Sequence, residues 1–419
     1  MFKTISIPFQ PEQLIHQLND REQSPFFTWS NTDQGWKKIL AFNPVESIEI
    51  FNHNEIEKLF EFVKHHQGHL IGGFINYDLG IKTKAIASTS TDPLSMPLIK
   101  FAAYRNFVEF NYHESKVYYQ DSEFLKQIYD INERSAFVSQ TITRCPFKIN
   151  LPKKQYEKQF EKIIEYIKSG DIYQINYTHQ LTGQSENRGN LLFLDYLKTN
   201  PVDFAVFFGC EHYNIISLSP ERFISIKDRE IATYPIKGTI PRGKTPAEDR
   251  INKKRLISSQ KEQAELYMIT DLLRNDIGEI SEIGSVKVVY KKRLQTLAKI
   301  FHTYSKVTGQ LKRNLTGIEA LISMFPGGSI TGCPKKRAME IIDELEDYSR
   351  GVYTGSIGYI LPNGDLDFNI AIRTIIQKGN QLNLSVGGGI TLHSTLDSEF
   401  EETLSKAKSF QVSNENSNQ

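Results

Sequence analysis

Strand-like segments in this sequence come in runs that helices interrupt without alternating regularly. That pattern favours an α+β fold built on large antiparallel sheets over a doubly wound parallel one. The clearest strand covers residues 171–181, where Tyr173, Ile175, Tyr177 and Leu181 face one way and Gln174, Asn176, Thr178 and Gln180 the other. On an exposed sheet the polar face would simply meet water. Further strands fit residues 72–78, 100–110, 213–226, 231–240, 369–376 and 382–386. A helix fits residues 154–169, with Tyr156, Phe160, Ile163, Ile164 and Ile167 on one stripe and Gly170 ending it; others fit residues 248–275, 334–346 and 398–410. Residues 1–150 carry few motifs and read as the N-terminal region of the same α+β unit. Residues 151–412 carry the candidate chemistry, and residues 413–419 read as a disordered tail.

With 39% hydrophobic and 24% charged residues, the 419-residue chain can bury a large core. Its 50 Lys and Arg balance 49 Asp and Glu to a net charge of +1, so no field of one sign is available to recruit nucleic acid or an acidic membrane. Apolar runs such as residues 204–210 are far shorter than the roughly 20 residues that cross a bilayer. Residues 1–14, broken by Pro8 and Pro11, lack the apolar core of a signal peptide. Cys145, Cys210 and Cys333 have neither disulfide-framework nor zinc spacing. A soluble cytoplasmic protein is the expectation.

Three carboxylates stand where a helix pattern would place something else. Glu265 shares a face with Met268, Ile269 and Leu272, and a carboxylate on a core-facing stripe needs a partner. Glu399 and Glu402 lie three apart on one face, where they repel unless a cation lies between them. A hard cation such as Mg²⁺ would suit these oxygens. The other reading is a first helical turn whose dipole favours acids, with Ser398 and Glu401 as a capping box. Lys237 lies in Pro235-Ile236-Lys237-Gly238-Thr239. Most lysines are solvated, but one held near a metal ion or in an apolar pocket can lose its proton and become a nucleophile. Glu221, sixteen residues before that lysine, is a further candidate, with a surface pair with Arg222 as the alternative. Arg373, in an apolar run, and the bare amides of residues 387–389 could hold a carboxylate; a buried ion pair and an ordinary glycine turn are the alternatives. Residues 325–335 imitate a phosphate loop, yet Cys333 and Pro334 replace its Lys and its Ser or Thr. Pro334 reads as the first residue of a helix whose amides could meet a carboxylate or merely cap it.

The ordered motifs SGDIYQINYT, SPERF, PIKGTIPRG, AELYMITDLLRND, FPGGSITGCPKKRAMEII, GVYTGSIGY, FNIAIRTII, SVGGGIT and EFEETLSKAK, spread over about residues 155–410, resemble those of the chorismate-utilising enzymes. The resemblance implies an anthranilate-synthase-component-I-like fold of two large stacked antiparallel sheets with helices outside. It implies Glu265, Glu399 and Glu402 as ligands of Mg²⁺, which would grip the ring carboxylate of chorismate. Glu221 would be the general acid. Tyr353, Arg373, Gly387 and Gly389 would meet the enolpyruvyl side chain, Gly238 and Thr239 the ring carboxylate, and His302 the ring. Gln174 stands where the isochorismate and salicylate synthases carry a lysine base, which disfavours hydroxylation at C2. Lys237 matches the aminodeoxychorismate synthase branch, whereas anthranilate synthases usually carry Ala there.

That branch implies a covalent Lys237 intermediate, then attack by ammonia. No glutaminase Cys-His pair is identifiable, so the expected partners are chorismate, ammonia, a glutamine amidotransferase subunit and a downstream aminodeoxychorismate lyase. The competing readings are an anthranilate synthase component I that carries lysine, and a catalytically silent chorismate-binding regulatory subunit.

Overall fold

A computed structural model describes residues 2–410 except 8–9, 33–34, 89, 134–141, 143–145 and 298–299. Cys145 and the tail 413–419 therefore lie outside the described residues. Two antiparallel sheets, of 12 and 10 strands, dominate the fold. Buried residues from both, among them Phe26, Phe74, Phe101's neighbour Ala102, Phe208 and Tyr359, form the core between them. Helices cover the outer faces: Leu14, Phe124, Leu192 and Tyr196 pack on the larger sheet, and Leu59, Ile277, Leu321 and Met339 on the smaller. The antiparallel α+β class is as the sequence pattern predicts, and the stacked sheets with outer helices are as the resemblance implies. Residues 3–119 supply strands to both sheets, for example Phe26–Thr32 to the larger and Leu70–Ile75 to the smaller.

Several boundaries differ from the sequence reading for local physical reasons. The strand begins at Gln174 and runs to Gln184, while Asp171 sits in a turn with Ser169 and Arg337. Tyr173 is 68% exposed and leaves the apolar stripe. Ile175 and Tyr177 do pack against Tyr156, Ile163 and Phe400. The polar face of this strand is largely withdrawn from water: Gln174 and Thr178 are buried, and Asn176 and Gln180 are half-buried. What reads as one helix over residues 248–275 is two, Pro246–Ser258 and Gln260–Ile280, because Ser259 turns extended and its side chain caps Glu262 N–H. The last helix runs Leu396–Ala407 from Thr395, which makes no side-chain cap; Ser398 lies inside the helix, so the expected capping box is absent. Pro334 is the extended residue before the helix Lys335–Leu345 rather than its first residue.

Candidate active site

Residues 213–226 and 369–376, each read as a single strand, are both broken, and the breaks carry chemistry. Asn214–Ser219 belongs to the larger sheet and Arg222–Lys227 to the smaller, so the chain changes sheets across Pro220 and Glu221. Leu366–Ile370 and Thr374–Lys378 change sheets in the same way across residues 371–373. The two crossovers are laced together by Ile370 N–H to Glu221 O (3.0 Å), Leu218 N–H to Arg373 O (3.0 Å) and the Ser219 hydroxyl to Ile370 O (2.7 Å). Arg373 has a positive φ of 51° and so stands in a strained corner, not inside an apolar strand. Burial pulls its guanidinium below its ordinary range. Glu221 is buried and is not the partner of Arg222, which is held by Asp367 at 2.6 and 3.1 Å. Burial pushes the Glu221 carboxyl above the ordinary range, and the charge of Lys237 leads the effects that oppose this.

Lys237 and Thr239 lie on the edge strand Ile236–Pro241, paired with Ile300–Gln310. The register slips between them at Gly238, whose φ is +70°. Such a bulge re-aims the flanking side chains. The Lys237 carbonyl is fixed by the Thr303 hydroxyl at 2.5 Å. A Cβ on Gly238 would meet Glu262 Oε2 at 3.0 Å, so this strand lies directly against the long helix Gln260–Ile280. His302, opposite Thr239, is buried and bonded through Nε2 to Gln295 (2.8 Å), which in turn donates to Asp203 (2.9 Å). Burial lowers the pKa of His302; Asp203 opposes this and Arg373 adds to it.

The long helix and the last helix bring Glu262, Glu265, Glu399 and Glu402 to the same region. Glu265 flanks the buried stripe of Leu266, Ile269 and Leu273 rather than joining it, and Lys261 stands 3.9 Å away. Glu262 is raised by burial and by the like charge of Glu265, against Lys261. Burial and Glu402 raise Glu399, with Ser394 chief among the opposing groups; its Oε2 is buried without a hydrogen-bond partner. For Glu402, burial is outweighed by Lys406 at 2.8 Å, by Lys237 and by Lys261, and the carboxyl is held below its ordinary range. Five carboxylates thus share three lysines. The oxygens of Glu265, Glu399 and Glu402 are not drawn within 4.8 Å of one another; Lys261 and Lys406 stand among them instead. Their all-oxygen donor set, excess negative charge and orphaned Glu399 oxygen fit a hard dication. Glu262 was missed in the sequence, although Glu262–Glu265 repeats the three-residue spacing of Glu399–Glu402.

The glycine strand Gln381–Thr391 joins these parts. A Cβ on Gly388 would lie 3.3 Å from Glu399 Oε2, whereas on Gly387 or Gly389 it would collide with Thr178 or with Gln174 Nε2. Bare backbone is required at Gly387, where the Tyr177 carbonyl also stands 2.6 Å away; at Gly388 and Gly389 a side chain would displace Glu399 or Gln174. Gln174 also leaves its Oε1 buried and unpartnered. Tyr353 is buried beside a separate ion pair, Arg350 with Glu346. Glu346 accepts from Arg350 (2.7 and 2.8 Å) and from the Thr178 amide and hydroxyl (2.9 Å each). Arg350 also donates to Asn176 O (2.5 Å) and Ile330 O (2.9 Å), tying the polar strand to the loop of residues 325–334.

A family model described as chorismate binding enzyme matches residues 24–412. Aminodeoxychorismate synthase component 1 of Escherichia coli is 36% identical over 343 residues, which cover 80% of this chain and 74% of that protein. Anthranilate synthase component 1 of Cereibacter sphaeroides is 38% identical over 259 residues, 62% of this chain and 52% of the relative. Among solved structures, anthranilate synthase component I from Streptococcus pneumoniae superposes with a TM-score of 0.80 at 30% identity, covering 89% of this chain and 92% of that one.

Proposed function

This chain belongs to the chorismate-binding enzyme family, and from that premise we propose that it is the chorismate-aminating component of an aminodeoxychorismate synthase. The observation that carries this reading is Lys237, whose charge acts on Glu221, Glu262 and Glu402 at once. These three carboxylates come from three different elements, so Lys237 faces the cluster and not solvent alone. Its amine, once deprotonated, attacks C2 of chorismate while the C4 hydroxyl departs, and Glu221, whose carboxyl burial shifts toward the protonated form, supplies the proton that turns the leaving group into water. Ammonia then attacks C4 and expels the lysine from C2, so the product keeps its enolpyruvyl group. Arg373 and the amides of Gly387 and Gly389 would hold the side-chain carboxylate, beside Tyr353; Gly238 and Thr239 would meet the ring carboxylate; and His302 would stand near the ring. Gln174 offers an acceptor but no base. Glu265, Glu399 and Glu402 would hold Mg²⁺, with Glu262 beside them; when bound, the ion supplies positive charge to the ring carboxylate.

The relatives are named as component 1 of their enzymes, which supports a partner subunit. We assign that partner as a glutamine amidotransferase that supplies ammonia, with a lyase acting downstream. Incubation with chorismate and Mg²⁺ but no ammonia, quenched within the first turnovers, leaves a covalent adduct on the peptide carrying Lys237, and Lys237→Ala leaves none. With ammonium and added lyase the wild-type chain yields p-aminobenzoate. Fluorescent anthranilate from the unmodified chain would overturn the assignment in favour of the anthranilate branch.

A further inference from the structure

We propose that Glu46, His65 and His66 form a second cation site that takes a borderline transition-metal dication, Zn²⁺ foremost. Their donor atoms all lie within 4.8 Å of one another, and they alone do so among the His, Cys, Asp and Glu groups of three or more in the described residues. Ligands sharing one tetrahedral Zn²⁺ stand roughly 3.4 Å apart, given metal–ligand bonds of about 2.1 Å. A small side-chain rotation therefore brings the three donors into position. The site lies at the far edge of the ten-stranded sheet: Glu46 opens its terminal strand Glu46–Ile50, while the Lys237 strand is the terminal strand on the other side.

The site is held by two separate elements, a strand and the end of a helix. Glu46 is on a strand paired with Ile99–Tyr104. His65 ends the helix Glu57–His65, which buries Leu59 and Phe62. His66 caps that helix, is buried, packs on the Phe62 ring at 4.6 Å, and brings Nε2 to 2.9 Å from Glu46 Oε2. A hydrogen bond between Glu46 and His66 would satisfy those two groups alone; it does not explain the third donor, His65, turned to the same point. His65 and Glu46 open on a cleft of about 680 Å³ that Glu61 also lines, one helical turn before His65. That side has room for a water or for the Glu61 carboxylate as fourth ligand. Of the lysines in the cleft, Lys58 is engaged by Glu55. Two imidazoles and one carboxylate select Zn²⁺ or its neighbours over Mg²⁺, so this site and the glutamate cluster differ in preferred ion. Metal here would clip an edge strand to the end of the helix beside it.

The test uses the tag-free full chain in excess Mg²⁺, titrated with Zn²⁺ against a chromophoric competing chelator, with thermal unfolding in parallel. Wild type binds one Zn²⁺ per chain and its melting temperature rises with Zn²⁺. Glu46→Gln and His65→Ala, both at exposed positions, melt like wild type without Zn²⁺. Each weakens Zn²⁺ binding by more than the roughly 10–100-fold that loss of an outer-shell partner costs. Absence of Zn²⁺ uptake by wild type, or equal uptake by both variants, overturns the proposal.

Discussion

One cluster of buried charge is bonded to the polar strand Gln174–Gln184 and another reaches its glycine neighbour Gln381–Thr391, and the two are built on opposite principles. In the first, the side chains of Glu346 and Arg350 are each 1% exposed, and between them five protein groups complete the hydrogen bonding. In the second, Glu221, Glu262 and Glu399 are all pushed up by burial, and Glu399 keeps an orphaned oxygen. A satisfied buried pair holds structure together; an unsatisfied one stores affinity for something that is not protein. Burial alone does not separate the two. Completeness of the partner set does.

The largest effect expected from breaking this contrast is at Lys237. Lys237→Ala lowers ammonia-dependent turnover by about 10⁴-fold or more, as loss of a nucleophile does, with a far smaller change in stability. Steady-state kinetics and thermal melting on the same samples check both halves. Comparable losses in both would place Lys237 with the structural cluster instead.

Arg350→Met acts the other way round. Leaving Glu346 buried without its ion partner costs about 3–5 kcal/mol of unfolding free energy, and adding Glu346→Leu recovers part of it. Urea unfolding measures this. A single variant as stable as wild type would erase the distinction between the clusters.

His179 links them, following Thr178 in the chain and bonding through Nε2 to Thr403 on the helix of Glu399 and Glu402 (2.9 Å). Burial lowers its pKa to about 4. The native state therefore keeps it neutral while the unfolded chain binds a proton below the ordinary value of about 6.5. Its stabilisation is complete above pH 6.5 and is lost progressively as pH falls toward 4, by on the order of 3 kcal/mol in all. His179→Asn removes that share of the pH slope; an unchanged slope would show that His179 contributes nothing to it.

The smallest expected change has the opposite sign. Without added metal, Glu399→Gln raises stability by about 0.5–2 kcal/mol, because the buried member of a repelling carboxylate pair loses its charge. The same variant loses the rise in melting temperature that Mg²⁺ gives wild type. Glu346→Gln destabilises, because it removes the charge that Arg350 needs. Two Glu→Gln changes with the same sign would contradict the comparison.

Much of this was present in residue order alone. The antiparallel α+β class, the apolar stripe of the helix Lys153–Lys168, and the motifs carrying Glu221, Lys237, Glu265, Arg373, Glu399 and Glu402 are local patterns, and local patterns survive without knowledge of the fold. The paired spacing of Glu262–Glu265 and Glu399–Glu402 was legible too, had the two helices been compared. What the tertiary structure decided is where polar faces point and where strands end. Gln174 and Thr178 look like the wet face of a sheet, and only the arrival of Glu346, Arg350 and the loop of residues 325–334 at this strand makes that face dry. Residues 369–376 read as one strand because Ile370, Ala371 and Ile372 are uniformly apolar. The break that re-aims Arg373 exists because two sheets must share one chain, and no local propensity encodes that. The long-range Coulomb field around Lys237 has the same origin: its carboxylates come from residues up to 165 positions away in the chain, and only folding sets their distances.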